Sequence, residues 1–290
     1  MARFLKLFTV FFLLSLISFS QISKIHYIPP LTANDLQQGG GGSIPYDQHL
    51  YLSTPSTSDV TVKITILSTG QEITYTDLRN DNPKVYQLTA DNPNQEQALN
   101  GVLFVDKDGT GSNRLSSGLV IDADCPVYAS IRYNAGAQAG ALVSKGDASL
   151  GTHFRTGMMT NGNQSDENEF QNSTNSHNLN FISVMATQDN TTVRIDLPNA
   201  SPNLQIANYN YNGNPIVQTL NRNGSMIIAA DARQPNNSGE NRFALIGALV
   251  RSIDDSGTVI VEDPTKPIVV NVGSASGTFM STEGGHDHGV

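Results

Sequence analysis

Residues 60 to 66, Val60 through Ile66 (VTVKITI), alternate apolar and polar without a break. That is the period-two signature of a strand with one buried face. Thr191 to Leu197 (TTVRIDL) repeats the alternation. A short apolar strand precedes each run, Leu50 to Thr54 in one case and Asn180 to Val184 in the other, so that Tyr51 matches Phe181 and Val62 matches Val193. The comparison extends backward to pair Ile25-His26-Tyr27 with Thr152-His153-Phe154. Forward, it pairs Gly118 to Asp124 and Pro126 to Ile131 with Gly257 to Asp263 and Pro267 to Val272. Four blocks stay collinear while the offset grows from 127 to 141 residues through small loop insertions, which an internal duplication produces and chance similarity does not. Turn signals at Asp108-Gly109, Asn212-Gly213 and Asn223-Gly224 separate the strands, and no sustained helical periodicity follows the first twenty residues. The pattern predicts an all-β chain of two tandem, related β-sandwich-like units, residues 21–149 and 150–283, with a propeller-like arrangement less favoured. Two polar stretches, residues 37–43 with four consecutive glycines and the Asn-rich residues 161–180, read as surface loops.

The start of the chain has a different pattern. Arg3 and Lys6 precede the apolar run Leu7 to Leu16, and Ser18 and Ser20 stand three and one before a cut ahead of Gln21. Residues 1–20 therefore read as a secretory signal peptide, too short and too serine-rich at its end for a bilayer anchor. No later stretch is apolar enough to span, so the expected mature chain has no transmembrane segment and is secreted or held at the cell surface. The 290 residues carry 17 basic and 26 acidic side chains, a net charge of −9. Without a basic cluster such a chain is not a nucleic-acid binder. Cys125 is the only cysteine, so no intrachain disulfide forms. Followed by Pro126 and Val127 and with no His at a suggestive spacing, it reads as a small hydrophobe.

Three segments, Ile22 to Pro30 (ISKIHYIPP), Gln138 to Phe154 (QAGALVSKGDASLGTHF) and Ile182 to Val193 (ISVMATQDNTTV), resemble the IgGFc-binding protein N-terminal domain family. In particular they are similar to the copies that open large secreted, gliding-motility-associated surface proteins of Bacteroidota. The resemblance spans nearly all of the chain after residue 20, and the Ser144-Lys145-Gly146 to Phe154 segment is its strongest part. It implies an exported, modular protein that leaves through the type IX secretion route and carries a C-terminal sorting domain. Residues 284–290 instead read as a tail or the opening of a truncated third unit, so the chain is expected to be part of a longer protein. A shared fold does not carry a ligand across, and antibody binding is not expected on that ground.

Candidate chemistry is sparse. Asp106 and Asp108, in Asp106 to Asn113 (DKDGTGSN), offer two carboxylates beside a sharp Gly turn, as calcium loops do, but the bidentate closing Glu is replaced by Ser117. A hairpin turn is the simpler reading, and no metal is expected. His286 and His288 supply two imidazoles where a zinc or copper site needs more. His26 and His153 occupy equivalent repeat positions, which points to a structural hydrogen bond, since a catalytic residue is seldom needed twice. Tyr209 and Tyr211, flanked by Asn208, Asn210 and Asn212, would share one face of a strand. They could stack on a sugar or, more simply, pack across the sheet. Gly273 to Gly277 (GSASG) has Ala275 where a serine hydrolase has its nucleophile, and Gly39 to Gly42 lack the Lys of a phosphate loop. These observations predict a non-enzymatic surface module without cofactors, acting as an adhesion or scaffold segment. Its partner would be an extracellular glycan or protein surface. A secreted carbohydrate-binding protein is the alternative, with Tyr209 and Tyr211 as its only candidate residues.

Overall fold

The computed structural model describes residues 22–32, 45–88, 102–105, 109–135, 138–158, 179–198, 204–231, 240–254, 261–278 and 286–289. Among them there is no α-helix, only 3-10 turns at Gly146–Ser149 and Glu240–Phe243. The first ten strands are β1 (Ser23–Ile28), β2 (Leu31–Thr32), β3 (Tyr46–Ser53), β4 (Val60–Ile66), β5 (Gln71–Leu78), β6 (Lys84–Gln87), β7 (Phe104–Val105), β8 (Gly111–Leu115), β9 (Leu119–Ala135) and β10 (Gln138–Ser144). The remainder are β11 (His153–Arg155), β12 (Leu179–Ala186), β13 (Thr191–Asp196), β14 (Ile216–Leu220), β15 (Ser225–Asp231), β16 (Leu249–Asp254), β17 (Val261–Glu262), β18 (Ile268–Thr278) and β19 (His286–Gly289).

The chain is all-β and sandwich-like, as the alternation predicts. In β4, Val60, Val62, Ile64 and Ile66 are buried and Thr61 is exposed. The 17-residue β9 belongs to two layers. Its first part pairs with β1 and β4 in the order β1-β9-β4-β5, and its last part pairs with β10 and β3 in the order β10-β9-β3-β6. A strand that passes from one sheet to the other makes the corner of the sandwich. The same pairing recurs later as β11-β16-β13-β14 and β19-β18-β12-β15. The counterpart of β9 is thus two strands, β16 and β18. Gly257 to Asp263, which the sequence comparison sets against Gly118 to Asp124, does not take the expected place: β17 merely edges β16, and β16 itself fills the position between β11 and β13. The physical difference is that β9 runs straight through Asp124 to Pro126, whereas β16 ends at Asp254, the short β17 edges it, and the strand that enters the other sheet begins only at Ile268.

Within the β19-β18-β12-β15 layer, β12 and β15 are buried on both faces. Ile182, Val184, Ile228 and Ala230 face one core with Val193, Ile195 and Val250. Phe181, Ile227 and Ala229 face the other way, into the core formed by Leu50, Leu52, Ile64 and Ile121. Met185 and Val269 meet Tyr27 beside Ile25 and Val120. Every residue of β12 is buried, so its sequence reads as a nearly continuous apolar run without alternation. β8, from the first half of the sequence, adds to this layer by pairing with β15.

Candidate functional site

In β3, Gln48, Leu50 and Leu52 point inward, and the pleat sends Asp47, His49, Tyr51 and Ser53 to the outer face of the β10-β9-β3-β6 sheet. Register then builds rows across that face. Val85 lies opposite Tyr51, Tyr51 opposite Ser130, and Ser130 opposite Val143. In the next row Gln87, His49, Arg132 and Ala141 stand side by side. Tyr51, Val85, Tyr128 and Val143 are all large exposed apolar or aromatic side chains, and all four lie on this one face. The Arg132 guanidinium sits over the Tyr51 ring, 5.2 Å from its centroid, with no described carboxylate as its partner. The His49 ring is tilted 6.2 Å from Tyr51 on the same strand.

At one end of the face lies a groove of about 560 Å³ bordered by Asp47, His49, Tyr51, Arg132, Asn134 and Gly140. A ladder irregularity between Tyr46 and His49 puts Asp47 at φ +46°, where its carboxylate Oδ2 accepts a 2.9 Å hydrogen bond from Asn134 Nδ2. Its second oxygen is buried without a partner among the described residues. Gly140 is required by contact: a Cβ there would fall 2.2 Å from the Tyr133 ring. That ring is itself buried and edge-on to Phe104 at 4.8 Å. Burial pushes the Tyr133 hydroxyl well above the usual phenol range, so it stays neutral. The arrangement offers aromatic and aliphatic surface, one unpaired guanidinium and a polar pocket, which is the composition of a recognition surface.

Two titratable clusters elsewhere hold the fold. His26 is fully buried, with Nδ1 2.9 Å from Ser144 Oγ and Nε2 3.0 Å from the Val127 carbonyl and 3.2 Å from that of Ser23. Two carbonyls beside Nε2 require the proton there, so Nδ1 accepts from the Ser144 hydroxyl. Desolvation lowers the His26 pKa and outweighs the two carbonyl contacts and Asp147. His153, its sequence equivalent, is instead on the surface, 2.5 Å from Glu262 Oε1. That hydrogen bond holds the Glu262 carboxyl below its ordinary range. On the outer face of the β11-β16-β13-β14 sheet, burial pushes the Asp196 carboxyl up. The guanidiniums of Arg194 at 2.7 Å and Arg251 at 2.9 Å more than offset this and hold its pKa down.

Of the residues singled out in the sequence, Tyr209 and Tyr211 lie in no strand. Ile206 and Tyr209 close a tight turn, Tyr211 is buried in the second core, and Tyr209 packs against it. Asp106 and Asp108 lie outside the described residues, as do residues 37–43, most of 161–180 and the whole of 1–20. His286 and His288 fall in β19, which pairs with β18. Among the described residues no three His, Cys, Asp or Glu side chains gather as metal ligands, and Cys125 packs half-buried on the first core. The Tyr51 and Arg132 face was legible in principle, because the odd positions of β3 put His49 and Tyr51 on the side opposite the buried leucines. Period-two reading attends to the inward set and passes over the outward one.

No helix among the described residues is long and apolar enough to cross a membrane. No curated protein and no solved structure matches the chain. The family model described as IgGFc binding protein matches residues 139–290, from β10 through both later sheets. That is just over half of the chain, and the protein belongs to the IgGFc binding protein family, a family of extracellular binding domains.

Proposed function

We propose that this protein is a non-enzymatic, exported adhesion or scaffold module, part of a larger cell-surface protein, that engages a partner protein through the outer face of the β10-β9-β3-β6 sheet. One observation carries the reading: Tyr51, Val85, Tyr128 and Val143 are exposed on that one face, and beside Tyr51 lies an Arg132 that no described carboxylate neutralises. Tyr and Arg are the residues that concentrate binding energy at interfaces, and a contiguous apolar patch is uncommon on a surface that has no partner. The matching partner surface is apolar with a carboxylate opposite Arg132. The leader-like residues 1–20 support export, and the resemblance of Ile22 to Pro30 and Gln138 to Phe154 supports a type IX-exported, gliding-associated surface protein with further modules after Val290. A reading frame that continues into repeats and a sorting domain fits this placement, and a stop codon after Val290 counts against it.

The test is binding of the purified protein to arrays of extracellular proteins and of glycans, alongside the Tyr51→Ala and Arg132→Ala variants. Protein ligands whose affinity drops about thirtyfold in either variant support the reading. The carbohydrate alternative draws on the groove beside Asp47 and Asn134 and no longer on Tyr211, which is buried. Glycan binding abolished by Asn134→Ala, with no protein ligand, would establish it instead.

A further inference from the structure

The groove at the end of the β10-β9-β3-β6 face holds two opposite charges that do not meet. Asp47 and Arg132 both border it, and no other described Lys, Arg, Asp or Glu does. The Asp47 carboxylate turns to Asn134, whose Nδ2 donates to Oδ2, while Oδ1 is buried with no partner among the described residues. Arg132 lies instead over the Tyr51 ring. Holding Asp47 in this place lowers stability twice. Its φ of +46° is left-handed, at the irregularity where β3 slips against β9, and its buried oxygen gives up hydration for no bond. Asn takes the same backbone conformation, accepts the same bond from Asn134 and carries no charge to desolvate. The turn alone therefore does not call for a carboxylate, and backbone strain beside an unpaired charge in a groove points to a ligand.

Register sets the spacing of the two charges. Arg132 stands opposite His49 and Asn134 opposite Tyr46, so Arg132 and the Asn134 that holds Asp47 rise from backbone positions about 7 Å apart, one two-residue step. On β10 their neighbours are only Ala141 and Ala139, which leave the groove open above them. One step the other way is the row of Tyr51, Ser130 and Val143. An extended chain repeats its side chains on one side at this same interval, whereas a free α-amino acid carries its charges on adjacent groups, too close to reach both. We infer that an extended segment of the partner protein lies along β9 and presents an apolar, an acidic and a basic residue to this face at three alternate positions. The apolar residue rests on Tyr51 and Val143, the carboxylate pairs with Arg132, and the cation pairs with Asp47. Reversing either charge on the segment sets like against like, so the groove selects an order of residues and not a net charge. The inference rests on the protein-binding reading of this face and adds to it the cation opposite Asp47.

The probes are amidated pentapeptides with a neutral fluorophore at the N-terminus. LTETK and its reverse KTETL run the pattern in the two chain directions, and LTETE and ETETL are their analogues with a second acid in place of the base. Binding to the purified protein is followed by anisotropy at low ionic strength, where exposed charges are least screened. One of the basic peptides should bind about tenfold more tightly than its acidic analogue. Asp47→Asn should erase that preference, weakening the basic peptide and strengthening the acidic one, while the unfolding temperature stays level or rises. Were Asp47 only a clasp for Asn134, the variant would instead unfold at lower temperature and keep the preference. Arg132→Ala and Tyr51→Ala should weaken every peptide that binds. The inference is overturned if neither basic peptide binds at millimolar concentration or if Asp47→Asn leaves the preference unchanged. It is also overturned if oligogalacturonate binds more tightly than both and loses affinity in Arg132→Ala, which would make the occupant an acidic glycan. An unchanged preference with Arg132→Ala and Tyr51→Ala still weakening the peptides removes the role of Asp47 alone, whereas insensitivity to those two variants removes the protein-binding reading with it.

Discussion

Gly146 carries two separable costs for any side chain, and both can be read from its surroundings. Its φ is +54°, a left-handed conformation that costs an L-residue about 1 kcal/mol or more. A Cβ placed there would also lie 2.1 Å from Ser23 Cβ and 3.1 Å from the Ile25 carbonyl. The first contact is impossible without movement of β1, and overpacking of that kind costs about 1–3 kcal/mol. Movement of β1 strains the bonds around the turn, where Ser23 Oγ donates to Asp147 Oδ2 at 2.7 Å and the Ser144 hydroxyl meets buried His26 at 2.9 Å. Gly146→Ala should therefore destabilise the protein by about 2–4 kcal/mol. At about 2–4 °C per kcal/mol for a chain of this size, thermal unfolding followed by circular dichroism should shift down by roughly 5–15 °C. Gly70 is the control, with φ +70° and nothing within 4 Å of its added Cβ, so Gly70→Ala carries the backbone cost alone, about 1 kcal/mol. Equal shifts in the two variants would show that the Gly146 contact with Ser23 costs nothing, and the account of the turn would be wrong.

Three further outcomes follow from the same geometry. His26 is neutral and desolvated when folded, with a pKa below its unfolded value of 6.5. Its contribution to stability is thus complete above about pH 6.5 and is lost as pH falls through the lowered folded pKa. Urea midpoints between pH 7 and 5 should decline in the wild type and flatten in His26→Gln, and parallel slopes would rule His26 out as the cause. Tyr211 has its hydroxyl buried without a partner among the described residues, and burial raises its pKa. Tyr211→Phe should leave stability unchanged or raise it by about 1 kcal/mol, and a loss of more than that in calorimetry would reveal a bond the hydroxyl makes. Residues 22–149 expressed alone lose the strand partner of β8 and the contribution of Phe181, Ile227 and Ala229 to the first core. This fragment should show broad, low-temperature unfolding and bind hydrophobic dye, and a sharp transition near that of the whole protein would show that the first half needs no partner.

How much of this was legible beforehand depended on whether a strand has one buried face or two. β4 and β13 announce themselves by alternation because one side of each meets lighter packing or solvent. β12 does not alternate, because Phe181 and Met185 are as buried as Ile182 and Val184 and serve different cores. No period-two count can reveal that a third layer lies against it. The Ser144 to Asp147 segment, which carries much of the family resemblance, has a physical role that spacing alone could not supply. It is the turn that receives Ser23 and His26 from a strand more than a hundred residues earlier. Tyr209 and Tyr211 were misplaced on a strand because the Asn residues between them imitate alternation, whereas Asn208 at φ +54° turns the chain instead.

The placement of the proposed binding surface follows from which faces the architecture leaves open. Both faces of β12 and β15 are buried among the described residues, and the outer side of β1 and β9 is partly covered where Ile25, Tyr27 and Val120 meet Met185 and Val269. Two outer faces remain. That of β11-β16-β13-β14 is electrostatically self-contained, because Asp196 sits between Arg194 and Arg251 and His153 is spent on Glu262. A partner there would have to break those pairs before gaining anything. On the β10-β9-β3-β6 face Arg132 stacks on the Tyr51 ring with no ion-pair partner among the described residues, and Tyr128 and Val143 are about half exposed. A partner that brings a carboxylate and apolar surface gains both terms with nothing to break.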